Sequence, residues 1–201
     1  RAPLWSRGLG DVYKRQVLGL TPQGKWTMDN GQDIHFILTG GEPLLDKNTF
    51  KLLEYVKQNP REKLGFHVNS NLMVSENRVQ RYIDLVKDMP HNKTYVSIDN
   101  WGKRAEWIRN GLNMQHFEKN LHRVLEAGCN VGLMITYCFL SIPGFEDFIN
   151  QIASLKRRYP GQLTIDTPHM VQPEHLTAMI ADDYFINSML GQLDYMKKKL
   201  D

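Results

Sequence analysis

From residue 33 onward, short apolar runs alternate with longer stretches of helical periodicity. "DIHFILTGG" (33–41) holds a compact apolar, β-branched and aromatic run from Ile34 to Leu38, the mark of a buried strand. "KNTFKLLEYVKQN" (47–59) sets Phe50, Leu52, Leu53 and Val56 on one helical face, and Asp46 stands where a cap belongs. "LGFHVNSNL" (64–72) is the next strand. "SENRVQRYIDLVKDM" (75–89) predicts a helix with Ser75 as N-cap and Val79, Tyr82, Ile83 and Val86 as its apolar stripe. The strand "KTYVSIDN" (93–100) follows. The helix "MQHFEKNLHRVLEAG" (114–128) turns Phe117, Leu121, Val124 and Leu125 inward and stops at Gly128. "NVGLMITYCFL" (130–140) predicts a strand, "GFEDFINQIASLKRRYP" (144–160) a helix and "LTIDTPHMV" (163–171) a strand. The tail from about Pro173 reads as mainly helical. Repeated βα units imply a parallel sheet covered by helices.

Strand parity narrows the architecture, because successive side chains point to opposite faces. In "FHVNSN", His67, Asn69 and Asn71 share one face and Phe66 and Val68 the other. Ser97 and Asp99 oppose Val96 and Ile98; Thr164 and Asp166 oppose Leu163 and Ile165. An open doubly wound sheet would be apolar on both faces. One apolar and one polar face fits a barrel with helices outside and a polar, ligand-holding lumen. The expected fold class is therefore α/β, a partial parallel (β/α) barrel.

The first residues alter the composition argument. "SRGLGDVYKRQ" (6–16) resembles a translated transposon-based sequencing adaptor, in which GATGTGTATAAGAGACAG reads Asp-Val-Tyr-Lys-Arg-Gln. On this reading residues 1–16 are an assembly scar, expected to pack poorly. The native chain then began before Val17. The expected organisation is 1–16 non-native, 17–172 partial barrel and 173–201 a helical start of an extension. The formal charge of +3 is carried by the first segment, where Arg1, Arg7, Lys14 and Arg15 stand against Asp11. The remainder is neutral, so no nucleic-acid or membrane partner is expected. Hydrophobic residues at 41% suffice for one core. No apolar run approaches the roughly 20 residues that span a bilayer. Two cysteines, Cys129 and Cys138, make no disulfide framework, and a reducing, cytoplasmic setting is the expectation.

The turn after the first strand carries candidate chemistry. In "ILTGGEPLL", Gly40 and Gly41 permit positive φ and close backbone approach, and Pro43 holds Glu42 out of helical geometry. An acid then sits at a strand's carboxyl end, where parallel α/β folds bind ligands. At this point the chain resembles the radical S-adenosylmethionine (SAM) superfamily, and within it the members with a twitch-type C-terminal extension. The resemblance covers most of residues 33–175. "FILTGGEPLL" resembles the family's second-strand motif and "HVNSNLMV" its third-strand segment, with Asn69 on the family's Asn. "VSIDNWGKRAEWIRNG" is similar to its fourth strand and the turn beyond, with Asn100 where the family has Gly. "FEKNLHRVLEAGCNVGLMIT" is similar to the following helix and strand, and "MVQPEHLT" to the junction with the extension.

The resemblance implies a role for each site residue. Gly40, Gly41 and Glu42 bind the SAM amino group, through a carboxylate and freed carbonyls that accept from an ammonium. Ser97 and Asp99 meet the SAM carboxylate and ribose hydroxyls, and Asn69 lies beside them. Arg109, after a loop, meets a carboxylate of SAM or substrate. Thr136 lies on the strand where the family packs adenine. The family also implies a [4Fe–4S] cluster on a Cys-x₃-Cys-x₂-Cys triplet, an electron donor, and reductive cleavage of SAM to a 5′-deoxyadenosyl radical. No such triplet occurs here, and Cys129 and Cys138 suit neither its spacing nor its placement. The resemblance thus implies a truncated enzyme domain, a partial barrel whose first strand is missing, inactive as given, whose small-molecule or peptide substrate the sequence does not specify. The alternative is a non-catalytic partial barrel that binds a ligand or protein partner without a cluster. A lysine Schiff-base barrel is disfavoured, because no strand carries a lysine in its core. His67 and, with it, His35 and His169 are lumen candidates, and Trp101 and Trp107 could flank a substrate entrance.

Overall fold

A computed structural model describes residues 34–200 apart from Lys63 and His169. The adaptor-like segment 1–16, residues 17–33, the side chain of His35 and the whole of His169 lie outside the described residues. Five strands form one sheet: β1 (Ile34–Leu38), β2 (Leu64–Ser70), β3 (Lys93–Ser97), β4 (Val131–Met134) and β5 (Leu163–Asp166). All neighbours are parallel and the order is sequential, β1 to β5. Sequential order with crossovers of one hand places every connecting helix on the same side. That settles the choice the helix–strand alternation left open. The sheet is part of a barrel wall, not a doubly wound sheet.

Helices α1 (Lys47–Gln58), α2 (Glu76–Val86), α4 (Met114–Glu126) and α5 (Phe145–Arg158) cover the outer face. The predicted stripes are buried apart from Leu52, which is half-buried: Phe50, Leu53 and Val56; Val79, Tyr82, Ile83 and Val86; Phe117, Leu121, Val124 and Leu125. They meet Phe66, Val68, Val96, Leu133 and Leu163 from the strands in one core. Removing one of these side chains to Ala costs about 2–5 kcal/mol, from lost transfer energy and the cavity left. One polar pair in the greasy outer face is satisfied internally. The Thr94 and Tyr82 hydroxyls lie 2.7 Å apart and satisfy each other, and burial pushes the Tyr82 phenol upward, so it stays protonated.

Several boundaries differ from the expectation. The third strand ends at Ser97 and the fourth at Met134, so Asp99 and Thr136 lie just beyond their strands. A short helix α3 (Gly102–Ile108) fills what reads as a loop, which places Arg109 at a helix end. It escapes detection because its exposed, mixed sequence has little apolar periodicity, and Ala105 alone is buried. Ser75 precedes α2, but its side chain makes no capping bond. The tail forms two 3₁₀ turns, Glu174–Leu176 and Ala178–Ile180, before helix α6 (Asp183–Leu200). No described helix is long and apolar enough to cross a membrane.

Candidate cofactor site

The site begins at the Gly-Gly-Glu-Pro turn. Gly40 and Gly41 take φ of +93° and +60°, in the left-handed region that favours glycine, and a Cβ on either would meet open space. Glu42 is extended, as Pro43 requires, and caps the 3₁₀ turn Pro43–Leu45. Its Oε1 accepts from Leu44 N (3.1 Å) and Ser70 Oγ (2.8 Å), and its Oε2 from Asn71 N (2.8 Å). Arg78 Nη1 braces the same turn by donating to the carbonyls of Leu44 (2.9 Å) and Leu45 (3.1 Å). A carboxylate offers about four acceptor positions. Three are filled here, and no donor among the described residues reaches the fourth, on Oε2.

Ser70 was absent from the sequence-based set, yet it links two parts of the site. It is buried, donates to Glu42, and accepts from Leu72 N at 2.9 Å. Asn120 on α4 is a second addition. Its Nδ2 donates to the carbonyls of Leu72 (2.8 Å) and Val74 (3.0 Å), holding the loop after β2. Both are polar residues on faces otherwise packed with apolar ones. That mismatch is the sequence signal that could have found them.

The second cluster lies at the exits of β3 and β4. Arg109 grips Asp99 with two bonds, Nε to Oδ2 at 2.6 Å and Nη2 to Oδ1 at 3.1 Å. Thr136 N donates to the same Oδ1 at 3.1 Å. Asp99 is thus engaged by protein donors on both oxygens. Ser97 and Arg109 line a cavity of about 260 Å³ with Asn71, Met73, Asn110 and Leu112. Because Asn71 N binds Glu42 and Arg109 binds Asp99, this cavity joins the two clusters. Asn69, on the inner face opposite Tyr95 of β3, has a buried Oδ1 with no hydrogen-bond partner among the described residues.

Further down the inner face, His67 and Tyr95 pack at 5.5 Å, and Lys93 Nζ lies 5.1 Å from the Tyr95 ring centroid. Gly132 of β4 makes room for them, since a Cβ there would sit 2.8 Å from Tyr95 Cδ1 and 2.9 Å from Lys93 Cε. Lys93 is the first residue of β3, so it stands at the strand's amino end, away from the site, and not in the strand's core. Trp101 does not line an entrance. It packs against Phe117 and Phe148, with Nε1 donating to Glu118 Oε1 at 2.7 Å, whereas Trp107 is exposed. Asn100 is buried, accepting from Trp101 N at 2.8 Å and reaching Ser141 O at 3.4 Å.

The family model described as the radical SAM superfamily matches residues 25–174. The chain belongs to the radical SAM superfamily. Its fold is similar to a domain of pyruvate-formate lyase-activating enzyme from Bacteroides vulgatus ATCC 8482, with a TM-score of 0.57 at 14% identity, covering 84% of this chain and 95% of that one. Streptococcus suis SuiB bound to S-adenosylmethionine superposes with a TM-score of 0.56 at 12% identity, over 82% of this chain and 36% of SuiB. A spore photoproduct lyase with bound AdoMet and dinucleoside spore photoproduct gives 0.55 at 10%, over 92% of this chain and 51% of the lyase. At such identities the likeness concerns the fold alone. No curated protein matches the chain by sequence.

The superfamily implies SAM and a [4Fe–4S] cluster, and the residues present fit the two differently. For SAM, the chain offers a carboxylate with one acceptor position left, an orphaned buried amide oxygen, and a hydroxyl and guanidinium lining one cavity. For the cluster, the donor set does not fit. The sequence holds two cysteines, fewer than three thiolates require. Cys129 is buried behind the sheet, where burial pushes its thiol up to about 11. Cys138 is buried with Sγ 3.4 Å from Ser141 Oγ. Among the described residues no group of three or more His, Cys, Asp or Glu is placed to hold a metal ion.

Proposed function

We propose that this domain binds SAM at the carboxyl ends of β1 to β4. Glu42 Oε2 takes the amino group at its remaining acceptor position, and the glycine turn offers its carbonyls. Ser97 and the part of Arg109 not engaged by Asp99 face the carboxylate. Asn69 Oδ1 accepts a donor that the described residues do not supply. Asp99 acts on SAM through Arg109 and Thr136, whose positions it fixes. The observation that carries this reading is the cavity that Asn71, Ser97 and Arg109 line together, with Glu42 bound to the backbone of Asn71 and Asp99 to the guanidinium of Arg109.

The reading extends to a radical SAM enzyme of the twitch-type group, supported by the "MVQPEHLT" junction and the helix after it. The cluster, its cysteines and an electron donor are then supplied by a longer protein in a reducing compartment, and the substrate is a small molecule or peptide. A second reading, a ligand-binding barrel without a cluster, draws on the count of two buried thiols. Calorimetric titration of SAM into the chain tests the binding step. Saturable binding that Glu42→Ala abolishes supports it, and no heat at roughly millimolar SAM removes it. An extended relative with a Cys-x₃-Cys-x₂-Cys segment, reconstituted with iron and sulfide, separates the readings by whether 5′-deoxyadenosine forms.

A further inference from the structure

Helix α6 has two unlike faces. One is docked: Gln192 is buried, with Nε2 donating to Ile142 O at 2.6 Å and Oε1 accepting from Tyr137 OH at 2.9 Å, and Tyr195 OH donates to Asn150 Oδ1 at 2.7 Å on α5. The other carries Ile186, Leu190 and Leu193, which are 44%, 57% and 49% exposed. With Asp183 before them and Lys197 after, these residues fall at intervals of three and four along the helix. That is the spacing of a coiled-coil seam, which meets a partner helix rather than solvent. Ile186, Leu190 and Leu193 also line an apolar groove of about 410 Å³, together with Tyr137, Phe145 and Met179.

The charges at the seam's ends indicate the occupant. Asp183 stands seven residues before Leu190 and Lys197 seven after, so each lies roughly 10 Å along the axis from that midpoint. Turned about Leu190, the seam is its own complement: acid on base, apolar on apolar, base on acid. A parallel copy would oppose acid with acid and base with base. Both end residues are free to turn outward, since both are exposed and the Lys197–Asp194 contact within the helix is a long 3.7 Å. Self-complementarity about a two-fold axis is what a symmetric dimer requires.

We propose that α6 is a homodimer contact, in which two copies pack α6 antiparallel along Asp183, Ile186, Leu190, Leu193 and Lys197. Leu190 meets its own counterpart at the axis, Ile186 meets Leu193 of the second copy, and Asp183 pairs with Lys197 of the second copy. The groove that these apolar residues line receives the apolar side chains of the incoming helix. The contact is independent of whether SAM binds.

Sedimentation equilibrium over a concentration series tests it, on the wild-type chain, Leu190→Lys, Asp183→Lys, Lys197→Asp and the double reversal. The wild type should dimerise. Leu190→Lys should raise the dissociation constant about a hundredfold or more, through loss of the central apolar contact. Each single reversal should raise it about tenfold, and the double reversal should return it to within roughly threefold of wild type, because antiparallel pairing restores opposite charges. Far-UV circular dichroism checks each variant's fold, and the charge series carries the test if Leu190→Lys unfolds. A chain that stays monomeric to roughly 100 µM, including one whose seam binds an apolar dye instead, overturns the proposal. So does a dimer indifferent to Leu190→Lys, or a double reversal no better than the singles.

Discussion

Arg109 closes on Asp99 with two hydrogen bonds, of 2.6 and 3.1 Å, and so ties the end of α3 to the exit of β3. The same carboxylate receives Thr136 N from beyond β4, so one acid joins three chain segments. Asp99 is 10% exposed in its side chain and Arg109 30%, which leaves little water to replace a lost partner. Asp99→Ala should therefore cost about 2–4 kcal/mol in urea denaturation, since it strands a guanidinium and a backbone amide. Arg109→Lys should cost nearly as much as Arg109→Ala, because an ammonium cannot reproduce the two-pronged geometry. Full stability in Arg109→Lys would show that the pair acts only as a point-charge contact.

Glu42 carries both a structural and a binding load, and substitution can separate them. Glu42→Gln keeps an acceptor for Ser70 or Asn71 N but loses the charge that holds an ammonium. It should lower the melting temperature by only a few degrees while weakening SAM binding at least about tenfold. Ser70→Ala should do the reverse in proportion, losing about 1–2 kcal/mol of stability from the unsatisfied Leu72 N–H with a smaller loss of SAM affinity. Equal effects of the two variants on both measurements would contradict this division.

Gly132 is predicted to tolerate no side chain while Tyr95 stands beside it. A methyl group would lie 2.8 Å from Tyr95 Cδ1, so Gly132→Ala should destabilise by about 1–3 kcal/mol. Tyr95→Ala in the same chain should remove most of that penalty. Chemical denaturation of the two single variants and the double variant reads the coupling directly. Additive losses would mean that the backbone, not the ring, sets the cost.

Cys129 should resist alkylation in the folded chain, since burial raises its thiol from 9.0 to about 11 and removes it from reagent. A raised folded value means that the folded state holds the proton more tightly than the unfolded state. The associated stability is present below about pH 9 and is lost as pH climbs through about 11. Comparing the urea midpoints of wild type and Cys129→Ala across that window should show the wild type falling faster. Rapid labelling of Cys129 by iodoacetamide at neutral pH would refute the buried placement.

Much of the fold is written in local pattern. The stripes Phe50–Leu53–Val56 and Val79–Tyr82–Ile83–Val86 and the alternation in Phe66–His67–Val68–Asn69 depend only on 3.6- and 2-residue periods, so burial follows them directly. The glycine turn was equally legible, because positive φ and the restriction before proline are properties of neighbouring residues. The exposed α3 left no such trace. What Asp99 touches was not legible either: its partners lie 10 and 37 residues away, and periodicity says nothing about pairing across loops. Ser70 and Asn120 stand out in the sequence only as polar residues on apolar faces, and their contacts with Glu42 and Leu72 span 28 and 48 residues.

By itself, then, the sequence determined the alternation of strand and helix, the apolar face of each and the residues able to form a ligand turn, since all of these arise between near neighbours. Tertiary structure decided the sequential strand order that opens a concave face, the sharing of Glu42 between β1's turn and β2's end, and the capture of Asp99 by Arg109. These are contacts between groups distant along the chain. Their energies depend on geometry that exists only after the sheet has assembled.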